Sequence, residues 1–349
     1  MSSTARERWL EALRHRAPDR LPVDYRATPE AHARLKKHLG CADDVELCRA
    51  LHIDQILDVH PRYVGPPIPA DEDIYGIGFQ DTNYGSGTYR DAIRFPLERY
   101  HSVEEIEADF RWPSPDWYDY SAVADQVKGK EECVIRSPGS ENWDMYRWMR
   151  GNERGYLDLY DKPEMVHYCL GKLYDFSYQV CLRTLEKIPG KVLWVWVAED
   201  VSSQRGLAIS LEQIREFLLP HMGRMIDLVH QFGAFAFHHS DGACRDNIPN
   251  MISIGMDVLD PVQWRCTGMD RRELKELYGD RISFHGAMDN QHTLAFGSVA
   301  EVRREVEDNI RILGRHGGYI LGPCHNIQVV SPPENVVAMY EAAYELGKR

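Results

Sequence analysis

Two histidines, a carboxylate and a glycine follow a buried-type apolar run near the middle of the chain. Residues 234–237 are the apolar run, and residues 238–242 read HHSDG. His239 and Asp241 are two residues apart, so in extended backbone both side chains point to the same side. This spacing suits two metal ligands, or an acid/base histidine beside its orienting carboxylate.

A second candidate pair of acids follows the apolar run 192–197. Glu199 and Asp200 come directly after Ala198. Adjacent carboxylates raise each other's pKa when they are buried, which suits a general acid or base. Glu199 is therefore predicted to be a proton donor or a further metal ligand, and Asp200 to contact substrate. The alternative is a solvated pair of loop acids.

Further polar groups lie at or just beyond the ends of other apolar runs. His285 ends the run 282–285, and Cys324 and His325 follow the run 319–321. His285, His325, Gln204 and Gln263 are predicted to contact substrate. Cys324 is a candidate metal ligand, although burial as a small apolar side chain is the usual fate of cysteine. The structural alternative for His239 and Asp241 is a hydrogen-bonded pair at a strand end.

The elements that must position these residues alternate regularly after about residue 130. Short β-rich runs alternate with longer helical patterns, which predicts a parallel sheet with crossover helices. The predicted strands are residues 21–25, 55–59, 133–137, 192–197, 234–239, 258–260, 282–285 and 319–321. Eight such strands close a (β/α)8 TIM barrel, whose active sites lie at the carboxyl ends of the strands. His238 alternates with His239 and is expected to pack behind the barrel.

One long segment does not follow this alternation. Residues 61–120 are rich in Pro, Gly, Asp and aromatic side chains. Long connections of this kind are often functional, so we predict a loop and hairpin insertion over the barrel mouth, with a structural flap or dimer surface as the alternative. The prediction is one domain, residues 1–349, with a helical extension before the barrel.

Composition excludes several classes of function. The chain has 349 residues, 43% of them apolar, and a net charge of −13. That charge argues against nucleic acid as a partner, and no apolar stretch approaches the length of a membrane span. The eight cysteines are scattered, and no apolar signal core follows the N-terminus. We therefore expect a cytoplasmic protein without a disulfide framework.

Several short motifs occur in a characteristic order along nearly the whole chain. They are APDRLPV at 17–23, FPL at 95–97, WP at 112–113, AEDV at 198–201, Ser210 with Pro220, HHSDG at 238–242, GMDVL at 255–259, FHG at 284–286 and PPEN at 332–335. In this order and spacing the chain resembles the uroporphyrinogen decarboxylase superfamily, which includes cobalamin-dependent methyltransferases. The resemblance implies a (β/α)8 barrel with its site at the carboxyl ends of the strands.

The match differs between branches of that superfamily. The decarboxylases carry an arginine-rich loop after the first strand, whereas this chain has Arg26-Ala27-Thr28-Pro29 there, which argues against uroporphyrinogen as substrate. The methyltransferases carry a zinc site of the order H-x-C and a distant C. His239 and Cys324 match its ends, and Asp241 replaces the middle cysteine. Zinc accepts an Asp oxygen, so a His239/Asp241/Cys324 tripod for Zn²⁺ stays open.

Three functions follow from the resemblance. The first is methyl transfer between a small molecule or thiol and a corrinoid carried by a partner protein, with His239, Asp241 and Glu199 as catalytic groups and Zn²⁺ assisting. The second is a metal-independent lyase, a decarboxylase of a non-porphyrin carboxylate, with Asp241 stabilising a protonated intermediate and cationic partners such as Arg136 or Arg205. The third is a non-catalytic barrel that binds a corrinoid or tetrapyrrole. Whether the chain forms the family's homodimer is left open.

Overall fold

The computed structural model describes residues 3–83 and 87–348. The strands are β1 (Ile56–Asp58), β2 (Arg62–Tyr63), β3 (Gly78–Asn83), β4 (Thr88–Arg94), β5 (Tyr118–Asp119), β6 (Val134–Glu141), β7 (Trp194–Ala198), β8 (Phe235–His239), β9 (Val258–Asp260), β10 (Ser283–Met288) and β11 (Tyr319–Pro323). β1 and β6–β11 form one parallel sheet in that order.

Helices cover the strands on the outside. They are α1 (Ala5–Leu13), α2 (Pro29–Leu39), α3 (Asp44–Ala50), α4 (Val103–Asp109), α5 (Val123–Gln126), α6 (Asn142–Arg150), α7 (Asn152–Asp161), α8 (Pro163–Lys187), α9 (Leu211–Gln213), α10 (Leu219–Gln231), α11 (Ile248–Ser253), α12 (Arg271–Tyr278), α13 (Thr293–Phe296), α14 (Val299–Ile312) and α15 (Pro333–Leu346). Short 3₁₀ segments occupy Pro115–Trp117 and Arg245–Asn247. A π-helical turn, Ile214–Leu218, lies directly before α10, where Pro220 lacks the N–H that a regular turn would use.

The eighth position of the barrel is held by a single bridge. Val23 pairs with Leu321 of β11 in parallel, and the backbone N–H of Asp24 donates to the Leu321 carbonyl at 2.8 Å. On the side toward β1, the N–H of Val23 donates to Oδ2 of Asp54 at 3.1 Å. The predicted α/β fold, a (β/α)8 TIM barrel, is confirmed, with the predicted first strand reduced to this bridge.

Aromatic side chains fill the amino-terminal end of the barrel interior. Trp9 of α1 is fully buried and stacks on Phe237 at 6.2 Å between ring centroids. Phe237 stacks on Trp194 at 4.2 Å, and the Trp9 indole N–H donates to Asp54 Oδ2 at 3.1 Å. The helical extension thus covers this end of the barrel interior with the Trp9 ring.

The insertion at residues 61–120 is built from two small antiparallel ribbons, β3 with β4 and β2 with β5, together with α4. It contacts the outside of α8. Tyr75 and Tyr118 meet Phe176 with ring centroids 6.0 and 6.2 Å apart, and Trp112 meets Tyr168 at 6.2 Å. The predicted hairpin is present, and the insertion borders the barrel on the side of α8.

Candidate active site

His239 and Asp260 form the centre of the site at the ends of two neighbouring strands. They are the last residues of β8 and β9 and are paired in register. Nδ1 of His239 lies 2.9 Å from Oδ2 of Asp260, and the Trp196 ring stacks on the imidazole at 4.9 Å. The orienting carboxylate of His239 is therefore Asp260 and not Asp241, which lies two residues along the chain.

Asp260 is the carboxylate that the cationic side chains of the interior contact. It is fully buried and also accepts from Nδ1 of His285 and, at 2.9 Å, from Nη2 of Arg26. Burial alone would raise the pKa of Asp260, but the charge of Arg26 and the two imidazoles outweighs it and holds that pKa well below its ordinary value. A buried ionised carboxylate of this kind needs all of its partners.

His285 lies between two carboxylates. Its Nδ1 meets Asp260 and its Nε2 lies 3.1 Å from Oδ2 of Asp24. Both ring nitrogens face acceptors, so the imidazolium form suits this position, and the charges of Asp260 and Asp24 raise the pKa of His285 against the effect of burial. The side chain is 2% exposed. The structure thus places His285 in the charged network beneath the site.

The free nitrogen of His239 faces Asp241. Nε2 lies 3.9 Å from Oδ1 of Asp241, and within residues 3–83 and 87–348 that oxygen is buried without a hydrogen-bond partner. Burial opposes the charged imidazole, yet the hydrogen bond and charge of Asp260 raise the pKa of His239 above its ordinary value. An imidazolium N–H and a carboxylate oxygen without a hydrogen-bond partner in the described residues therefore lie close together, and a reacting group that lies beside them contacts both.

Asp241 is positioned by its neighbour Asp200. The backbone N–H of Asp241 donates to Oδ1 of Asp200 at 3.0 Å. Burial, helped by the charge of Asp241, raises the pKa of Asp200 to about 6. Nε2 of His325 lies 3.7 Å from the other Asp241 oxygen, and the His325 side chain is 46% exposed. The structure brings together His239, Asp241, Asp200 and His325, and their roles in catalysis and substrate binding stay predictions.

Glu199 lies apart from this group. It is fully buried, and its carboxylate accepts from the backbone N–H groups of Asn142 at 3.0 Å and Trp143 at 2.6 Å and from the Tyr174 hydroxyl. These contacts fix it at the amino end of α6, where helix N–H groups lack helical partners. Burial raises the pKa of Glu199 to about 8. Its position corresponds to an anchor for α6 rather than to the predicted proton donor or metal ligand.

The two glutamines occupy the rim. Oε1 of Gln263 accepts from the Gly242 backbone N–H at 2.5 Å, and Nε2 of Gln204 donates to Oε1 of Gln291 at 3.2 Å. Gly242 adopts φ 86°, and a Cβ there would meet the Ser203 carbonyl at 2.4 Å. Gln263 thus supports the turn that carries Asp241, and Gln204 is exposed at the mouth. His238 is buried against the Val197 carbonyl, as its alternation predicted.

The predicted zinc ligands do not form a ligand set in this arrangement. The Cys324 thiol is buried, its Sγ lies 3.3 Å from the Val262 carbonyl, and burial raises its pKa well above the ordinary value. Nδ1 of His239 is taken by Asp260. Across the described ranges, no group of three or more His, Cys, Asp or Glu side chains is placed to hold a metal ion. Zn²⁺ held by His239, Asp241 and Cys324 therefore stays a prediction.

Sequence reasoning missed Asp24, Arg26 and Asp260 and gave Arg136 little weight. The Arg136 guanidinium lies over Trp194 at 5.3 Å and pairs with Asp58, with Nη2 2.8 Å from Oδ2. Asp260 ends a predicted strand in phase with Val258. Asp24 is the acidic residue of the first predicted strand, residues 21–25. Charged residues in phase with apolar neighbours were the available signal for these positions.

Comparison with known proteins agrees with this geometry. The family model described as uroporphyrinogen decarboxylase (URO-D) matches residues 143–346, more than half of the chain. The chain belongs to the uroporphyrinogen decarboxylase family. The match includes β7 to β11 and therefore His239, Asp241 and Asp260.

Individual relatives in this family are distant. Uroporphyrinogen decarboxylase of Anaeromyxobacter dehalogenans is 30% identical over 40% of this chain and 38% of its own length. That of an Azoarcus species is 23% identical over 54% and 50%. That of Legionella pneumophila strain Corby is 24% identical over 97% and 96%. The first two alignments thus span half or less of the relative.

A solved structure matches the whole fold. A methyltransferase from Methanosarcina mazei aligns over 99% of both chains with a TM-score of 0.65 and 17% sequence identity. At this identity the match shows the fold, which is the TIM barrel. The chain is therefore a TIM-barrel member of an enzyme family. In the part of the chain that the structure describes, no helix is long and apolar enough to cross a membrane.

Proposed function

We propose that the chain is an enzyme that transfers a proton through Nε2 of His239, and that its reaction is decarboxylation of a small carboxylate other than a porphyrin. One observation carries the proposal: His239 is fixed through Nδ1 to Asp260, while its Nε2 lies 3.9 Å from the Asp241 oxygen that has no hydrogen-bond partner in the described part of the chain. This is the arrangement of an acid with its orienter and a second group for the substrate.

The proposed step balances without a cofactor. The bond between the substrate carbon and its carboxylate breaks, CO₂ leaves, and the electron pair stays on the carbon. That carbon takes the proton from Nε2 of His239, and solvent returns a proton to the imidazole. The negative charge of Asp241, whose Oδ1 lies 3.9 Å from Nε2, helps to keep His239 in the charged form that donates this proton.

The charges of the interior suit an anionic substrate. Arg26, Arg136 and the imidazolium forms of His239 and His285 balance the four carboxylates of Asp24, Asp58, Asp241 and Asp260. Asp200, beside Asp241, is a fifth carboxylate, and its raised pKa of about 6 lowers the negative charge that a substrate carboxylate meets. Nε of Arg26 makes no hydrogen bond within the described ranges and lies 3.5 Å from Oδ2 of Asp24, so the Arg26 guanidinium is the cation that we propose to face such a group.

Methyl transfer is the second candidate, and the same open nitrogen supports it. A methyl group leaves oxygen or nitrogen more easily when that atom is protonated. In this candidate the methyl donor lies beside His239 and Asp241, where the Nε2 proton of His239 reaches its oxygen or nitrogen atom. A corrinoid on a partner protein would then accept the methyl group. Family membership and the resemblance to the methyltransferase branch support this candidate.

The test measures CO₂ release and corrinoid methylation with the same protein. A panel of small aliphatic and aromatic carboxylic acids is assayed for CO₂, and methoxylated and methylated amines and ethers are assayed with reduced corrinoid by absorbance. The His239→Gln variant is expected to lose activity on the order of a hundredfold or more. His167→Gln, on the exposed face of α8, is the matched control.

Each outcome decides between the candidates. CO₂ release that depends on His239 supports the lyase, and methylated corrinoid that depends on it supports transfer. Stoichiometric zinc that is lost in Cys324→Ala would favour the transferase with a metal. Ligand binding that survives His239→Ala and Asp241→Ala, without turnover of any compound, would overturn both in favour of a binding barrel.

A further inference from the structure

We infer that a cavity beside the mouth binds a ring-shaped apolar part of the substrate that carries an oxygen substituent. This inference rests on the proposed function, because it places the reacting group of the same molecule at His239. The cavity has a volume of about 300 Å³, which is at the small end of the range for ligand pockets.

The cavity lies at the carboxyl ends of β1 and β6. His60 and Pro61 follow β1, Pro138, Gly139 and Glu141 lie at the end of β6, and Asn142 begins α6. Glu141 of β6 pairs in register with Ala198 of β7, and the next strand, β8, carries His239. Strands lie about 4.8 Å apart, so the backbone at Glu141 is about 10 Å from that at His239. One small molecule spans this distance.

Aromatic and apolar side chains form its walls. The insertion contributes Tyr75 and Tyr118, whose rings meet Phe176 of α8 at interplanar angles of 80° and 51°. Met145 of α6 and Val180 of α8 complete the apolar lining. Edge-on aromatic neighbours of this kind favour a flat ring as ligand.

One buried polar group in the cavity lacks a hydrogen-bond partner in the described residues. Asn142 is 3% exposed, its Oδ1 accepts from the Ser177 hydroxyl at 3.1 Å, and its Nδ2 makes no hydrogen bond in the described residues. A buried amide N–H without an acceptor is costly, so an oxygen atom of the ligand is the natural partner. Glu141 lines the same cavity, and its pKa is raised by burial and by the charge of Asp241.

The wall nearest the catalytic histidine is held by a glycine. Gly139 lies so close to the Trp196 carbonyl that a Cβ at this position would collide with it, and the Trp196 ring stacks on His239. Gly139 lines the cavity and lies against the Trp196 backbone, and the side chain of the same Trp196 lies against His239. A ligand in the cavity lies against the same wall that positions the imidazole.

Binding of three probes tests the inference without any need for turnover. The probes are 4-hydroxyphenylacetate, phenylacetate and acetate, and the measurement is Kd by calorimetry. In wild type, the two ring compounds are expected to bind more tightly than acetate. Met145→Trp, which fills the cavity, is expected to weaken both ring compounds about tenfold or more, a loss of about 1.4 kcal/mol. Met145→Leu, which conserves volume, is the matched control.

The Asn142 contact has its own variant. Asn142→Ala is expected to remove the preference for the hydroxylated ring, about fivefold for one neutral hydrogen bond, and to leave phenylacetate binding unchanged. Val180→Phe fills the cavity from the opposite wall, and melting by circular dichroism confirms that each variant folds. Ring compounds that do not bind the wild type, or that bind both filled variants as tightly, would overturn the inference. Loss of the His239 dependence of turnover, with ring binding as expected, would overturn only the proposed reaction.

Discussion

At one end of the barrel interior the rings of Trp9 and Trp194 both stack on Phe237, and at the other end ionised side chains surround Asp260. The aromatic end is stabilised by burial of apolar area, which requires no particular partner. The charged end is stable only while each ionised side chain is paired with a side chain of opposite charge, because burial disfavours an unpaired ion. The aromatic end therefore holds the barrel together, and the charged end carries the groups to which we assign the proposed chemistry.

The largest expected effect comes from breaking the charged end at its centre. Asp260→Asn leaves Arg26 and His285 without their shared anion and removes the orienter of His239. We expect a loss of about 3–5 kcal/mol in the free energy of unfolding and loss of turnover together. Urea denaturation and the assay above measure the two effects. Asp280→Asn, at an exposed acid, is the control, and a stable, active Asp260→Asn protein would contradict the assignment.

Breaking the aromatic end is expected to change stability more than turnover. Trp9→Ala removes a fully buried indole and should cost about 3–5 kcal/mol of unfolding free energy. Turnover per folded molecule should fall far less than in Asp260→Asn, because Trp9 contacts the ring of His285, at 6.2 Å between centroids, and not Asp260. Trp9→Phe keeps a ring but loses the hydrogen bond to Asp54, so it should cost less. A Trp9→Ala protein that stays folded but loses turnover would show that the two ends are coupled.

A smaller effect tests a buried acid outside both ends. The pKa of Glu199 is about 8 in the folded chain against an ordinary value of 4.5, so the folded state holds a proton that the unfolded state releases. Stability should therefore fall as pH rises from about 4.5 to about 8. Glu199→Gln removes the titrating group and should flatten this slope in denaturation curves, whereas Glu186→Gln, at an exposed residue of α8, should not. An unchanged slope in Glu199→Gln would refute the raised pKa.

Much of the fold and part of the site could be predicted from the sequence. Apolar runs bounded by helical patterns located all eight barrel positions, because buried parallel strands need continuous apolar residues. The motif at 238–242 identified His239 and Asp241, since imidazole and carboxylate groups rarely end such a run without a use. The order and spacing of this motif with the others along the chain predicted the family, which the match over residues 143–346 confirms.

The remaining parts depend on contacts between distant residues. Asp260 becomes the partner of His239 only through the register of β8 with β9. Glu199 follows its strand just as Asp241 does, yet its side chain turns outward to the amino end of α6. Cys324 occupies the expected place along the chain, but its thiol is directed to a carbonyl. Neither spacing nor residue type shows in which direction a side chain after a strand points.

The close approach of Gly139 to the Trp196 carbonyl has a consequence for how this enzyme can change its substrate. Any larger residue at that position would push the neighbouring strand and, through the Trp196 ring, tilt His239. Directed evolution of a new specificity should therefore keep residue 139 fixed and vary the cavity at positions such as Met145 and Val180. Substitutions at those two positions should change the shape of the proposed ring site and leave the position of the His239 imidazole unchanged. Substrate selectivity can therefore change there without loss of the proposed proton donor.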